Sequence, residues 1–121
     1  MKTVDRIFGW LLGLGGILHG IGSIVTLRRQ PDVLVWALAG SLAALLVAAL
    51  NLMRVSRPAD RVLASVSAAG TVAWMSVAIG FGLVIGNVLD PRVLYHTIAG
   101  VVLTVFSVRT ILRGSSLRGS T

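Results

Sequence analysis

The sequence predicts an all-α integral membrane protein, a four-helix bundle in which the chain runs up, down, up and down with both termini cytoplasmic. Three observations predict it. The 121 residues are 55% hydrophobic and 12% charged, and the mean hydropathy is +0.91. Soluble domains carry about a quarter of their residues as Asp, Glu, Lys and Arg, and disorder requires low hydrophobicity. A bilayer is the solvent that tolerates this much apolar surface. The second observation is four uncharged runs of 16 to 28 residues at 7–27, 33–53, 62–89 and 93–108, against the roughly 20 apolar residues that cross about 30 Å of hydrocarbon. The third is the placement of the cations, taken up below.

The first span, 7–27, has an apolar core too long for a cleaved signal peptide and is read as a helix that stays in the membrane. The second covers 33–53. The third, 62–89, exceeds the bilayer's need and tilts, or unwinds near Gly80, Gly82 and Gly86. The fourth runs over 92–112, because an arginine near a helix end, Arg109, snorkels to the interface. Residues 1–113 then form one bundle, 114–121 a flexible cytoplasmic tail, and no extramembrane domain is expected.

Polar punctuation agrees with these spans. Pro31, Pro58 and Pro91 all fall between them. There is no Glu, and the four aspartates, Asp5, Asp32, Asp60 and Asp90, each stand at a predicted helix start. A carboxylate there caps free N–H groups and meets the positive end of the helix dipole. Asp90-Pro91 is the sharpest of these signals, an N-cap followed by proline at the first helical position.

The net charge is +7, and its distribution speaks for topology. Lys2, Arg6, Arg54, Arg57, Arg61, Arg109, Arg113 and Arg118 fall at one end of the bundle, against Arg28, Arg29 and Arg92 at the other. Cytoplasmic loops are enriched in Lys and Arg, so both termini are expected inside, in a bacterial inner membrane. No aromatic-interleaved basic patch is present, and nucleic acid is not an expected partner.

Small residues predict how the helices pack. Lipid tails are as apolar as leucine, so helices in a bilayer associate where backbones approach closely. Gly9, Gly13, Gly16, Gly20 and Ser23 follow steps of 4, 3, 4 and 3, a heptad seam. Helix 2 carries Gly40, Ala44 and Ala48 at steps of four. These stripes predict a tight bundle and, with it, a homo-oligomer or membership of a larger membrane complex. A short echo between the hairpins, in which 33–40 matches 93–100 at four of eight positions, suggests an ancient duplication.

Chemistry-bearing residues inside the spans are few. No carboxylate, lysine or thiol lies within the four uncharged runs, so paired-acid catalysis, proton-coupled export and thiol redox chemistry lack their groups. Two histidines remain. His19 and His96 come from different helices and fall in the same leaflet, with Gly15 and Gly22 flanking the first and Gly100 one turn beyond the second. Imidazoles on two helices with glycine-lowered walls are what bis-histidine ligation of haem b requires. Trp36, Asn87 and Tyr95 fall in the same half and would line such a pocket. The plainer reading is polar packing, with each imidazole bonded to a neighbouring helix.

Three functions are therefore carried forward. The first is a non-enzymatic bundle that associates with itself or serves as an accessory subunit. The second is a b-type electron-transfer protein with His19 and His96 as axial ligands. The third is a carrier or channel for a neutral or lipophilic compound.

Overall fold

The computed structural model describes residues 1–116, with side chains through Arg113. It contains four long helices, α1 (Lys2–Leu27), α2 (Pro31–Ser56), α3 (Arg61–Val84) and α4 (Pro91–Ser116), packed antiparallel in an up-down bundle. All four are long and apolar enough to cross a membrane. A helix of 26 residues, such as α1, is about 39 Å long at 1.5 Å per residue, so its ends reach beyond an about 30 Å hydrocarbon layer. The closest packing is within the α1–α2 and α3–α4 hairpins.

Helix boundaries follow local chemistry. Pro31 and Pro91 stand at the first helical positions of α2 and α4. The Asp60 side chain caps α3 by accepting from the Leu63 N–H at 2.9 Å. Asp90 accepts from the Arg92 N–H and pairs with its guanidinium, which holds the carboxyl at about 2. Arg92 also lies over the Phe81 ring, 5.2 Å from its centroid.

Three boundaries differ from expectation. α3 stops at Val84 rather than continuing to 89, because Gly86 adopts φ +68°. Gly86 N–H then bonds Leu83 O and Asn87 N–H bonds Gly82 O, a Schellman termination that satisfies the last carbonyls. α2 continues through Ser56, so Arg54 belongs to the helix and not to a loop. α1 begins at Lys2, which places Asp5 inside the helix rather than at its cap. Of the expected tail, 114–116 complete α4, and 117–121 lie outside the described residues.

Most large apolar side chains point outward, and the interior combines a few of them, Leu12, Trp74 and Leu103, with many small and polar ones. Trp10, Trp36, Leu18 and Val105 are exposed, whereas Ala44, Ala64, Ser67, Thr71 and Ser107 are fully buried. That inversion suits a lipid solvent, in which burying leucine gains little and close backbone approach gains much. The glycine seam of α1 is used within the chain. A Cβ at Gly13 would touch Ala48, one at Gly16 would crowd Ala44 and one at Gly20 would meet Ser41 Oγ. Ser41 Oγ in turn donates to the Gly16 carbonyl at 2.6 Å. The seam therefore joins α1 to α2.

Candidate functional site

Buried polar groups gather in two places. The first is at the end of the bundle that carries both termini. The inward face of α1 continues from Gly9 one turn back to Asp5, and the inward face of α2 runs Ala44, Ala48, Asn51 and on to Arg54. Helical spacing thus aims Asp5 and Arg54 at each other. The guanidinium binds the carboxylate through two bonds, Nη2 to Oδ1 at 2.6 Å and Nη1 to Oδ2 at 2.9 Å. Arg54 is 1% exposed. Bidentate, charge-assisted geometry of this kind is the strong form of the interaction.

Other bonds extend the pair to all four helices. Arg54 Nη2 donates to Asn51 Oδ1 at 3.2 Å, and Nη1 donates to Thr110 Oγ1 on α4 at 3.5 Å. Asn51 Nδ2 donates to Thr71 Oγ1 on α3 and to the Val47 carbonyl, both at 2.9 Å. Ser107 Oγ on α4 donates to Asn51 Oδ1 at 3.4 Å. Ser67 Oγ reaches from α3 to the Leu50 carbonyl at 3.2 Å. Each oxygen of the Asp5 carboxylate is bonded to the guanidinium, and the cluster clasps the four helices together. Asn51 thus bridges α2 to α3 and α4. The part played by Asp5, Arg54, Thr71 and Ser107 was missed, although the periodicity of the two inward faces carried the signal.

The second place surrounds His96. Its Nδ1 accepts from Trp74 Nε1 at 3.3 Å, with the rings edge-on at 5.4 Å between centroids. Tyr95 packs edge-on against the same imidazole at 5.3 Å, and its hydroxyl donates to the Leu11 carbonyl on α1. A Cβ at Gly15 would clash with both Tyr95 and His96, and one at Gly100 would clash with Met75. Two of the three glycine notches expected beside the histidines are thus filled by side chains of the bundle. Only Gly22 faces open space.

The remaining expected site residues are scattered. His19 is exposed, with Nε2 3.8 Å from where a Cβ of Gly40 would stand. No hydrogen bond or ring contact joins the imidazoles of His19 and His96 among the described residues. Ser23 Oγ donates to the His19 carbonyl rather than to its ring. Trp36 is 79% exposed. Asn87 belongs to the α3–α4 turn, where its Oδ1 accepts from the Leu89 N–H.

The indole N–H of Trp74 only donates, so His96 Nδ1 is the acceptor. The Nδ1 edge of His96 is therefore occupied by Trp74. Among the described residues no group of three or more His, Cys, Asp or Glu side chains comes together. No family model, curated protein or solved structure matches the chain.

Proposed function

We propose that this chain is a non-enzymatic bundle of the bacterial inner membrane, both termini cytoplasmic, which associates laterally with a second copy of itself or with a larger membrane complex. The observation that carries this reading is a hollow of about 380 Å³ on the outer face of the α1–α2 hairpin. Gly13, Ala48 and Ala49 line it together with Trp10, Ile17 and Leu52. Small residues between large ones let a neighbouring helix approach closely in a bilayer. The cation bias toward the terminal end supports the orientation. Neutralisation of Asp5 by Arg54 supports a structural role over a catalytic one.

The chain has no cysteine, so single-cysteine variants report contacts directly. In native membranes under oxidation, Ile17→Cys and Ala49→Cys are expected to give disulfide-linked dimers or adducts with a partner. Val105→Cys on α4, which is exposed away from the hollow, is expected to stay monomeric. Uniformly monomeric chains, with nothing co-purifying, would overturn the proposal.

A further inference from the structure

We infer that the terminal end of the bundle holds a binding site for a phosphoryl oxyanion, in a crevice between α1, α2 and α4. The crevice has a volume of about 90 Å³, several times the roughly 10–15 Å³ that admits a water. Lys2, Arg54, Arg109 and Arg113 line it, against the single carboxylate of Asp5. Both Asp5 oxygens are bonded to Arg54, so among the described residues the carboxylate faces Arg54 rather than Lys2 or Arg109.

Two donors in the crevice are poorly served. Arg54 Nε is buried with no hydrogen-bond partner. Arg109 Nη1 has only the Met1 thioether, at 2.9 Å, and sulfur is a weak acceptor. A phosphoryl group brings several strong acceptor oxygens and negative charge, which is what this set of donors lacks. The cations of Lys2 and Arg109 carry the charge of the site; Arg54, its charge balanced by Asp5, offers its unpartnered Nε at the crevice wall.

The position of the crevice favours a lipid source. It opens at the end of helices longer than the hydrocarbon layer, hence at headgroup level. Its walls include Met1 and Phe106, apolar surfaces on which the glycerol and upper acyl chain of an anionic phospholipid can rest. A free phosphate ion would satisfy the same donors.

Thermal unfolding of the full chain in neutral detergent distinguishes these cases. Short-chain phosphatidylglycerol is expected to raise the midpoint saturably and phosphatidylcholine to leave it unchanged. A basic side chain near an anionic membrane surface is worth about fivefold in affinity. Arg109→Gln is therefore expected to raise the half-saturating concentration about fivefold, and Lys2→Gln/Arg109→Gln roughly 25-fold. Circular dichroism verifies that the variants remain helical; if the double variant does not, the single one carries the test. Inorganic phosphate at matched ionic strength is the second arm. Saturation by phosphate with no added effect of the lipid supports the site with the free ion as its source. No response to either probe would overturn the inference. So would an equal loss of response in Arg28→Gln/Arg29→Gln at the opposite end, because the effect would then belong to net charge and not to the crevice.

Discussion

Arg54 has its charge inside the bundle and its partner on another helix, 49 residues earlier in the chain. Removing one member of such a pair leaves the other buried and uncompensated, which costs about 3–5 kcal/mol, whereas replacing both with apolar residues is often neutral. Asp5→Ala and Arg54→Met are each expected to destabilise the protein by roughly that amount. Asp5→Leu/Arg54→Met is expected to recover most of the loss, short of what Asn51 and Thr110 forfeit when the guanidinium goes. Unfolding free energies in mixed micelles, taken as a double-mutant cycle, measure this. Strictly additive losses would show that the two residues act independently.

Packing of α1 on α2 depends on which glycines are at contact and how hard the facing atom is. A Cβ at Gly13 would lie 3.6 Å from the Ala48 Cβ, an ordinary contact. Gly13→Ala is therefore expected to be neutral, or stabilising by up to about 1 kcal/mol through helix propensity. At Gly20 the added carbon would lie 2.7 Å from Ser41 Oγ and dislodge its buried bond to the Gly16 carbonyl. Gly20→Ala is expected to cost about 1–3 kcal/mol, the penalty of stranding a buried polar group. Thermal midpoints of the two variants decide this; equal effects would mean that the seam is not a specific contact. α3 carries the same lesson in reverse: there Gly86 works through its positive φ, not its size, and ends the helix five residues before the apolar run does.

At the scale of the whole molecule, charge lies at the two ends and apolar side chains clothe the middle. An antiparallel bundle of four helices puts both termini at one end, and the cation excess at that end predicts which face of the membrane it occupies. Reporter fusions at the N- and C-termini are expected to be active only as cytoplasmic reporters. Moving the excess, by changing Arg54-free positions Arg57 and Arg61 to Gln while adding Lys beside Arg28 and Arg29, is expected to produce chains of mixed orientation. Unchanged orientation after that shift would show that charge does not set the topology. The clasp at the terminal end and the aromatic cluster at His96 bind helices from both hairpins, which makes one unit of what would otherwise be two hairpins.

The sequence by itself determined the solvent, the number of spans, the capping roles of Asp60 and Asp90, and the use of small residues for packing. Each rests on composition or on spacing along one helix, and neither depends on which helix lies opposite. Only the tertiary structure decided that the α1 seam is consumed by α2, that Asp5 and Arg54 form a buried pair, and that Tyr95, His96 and Met75 fill the space beside Gly15 and Gly100. A helical face can be read from periodicity, but its partner is set by how four faces are shared within one bundle. Asp5 shows the limit most plainly: at a helix start a carboxylate is an adequate cap for its own N–H groups, and it becomes the anchor of a buried ion pair only because packing delivers a guanidinium to it.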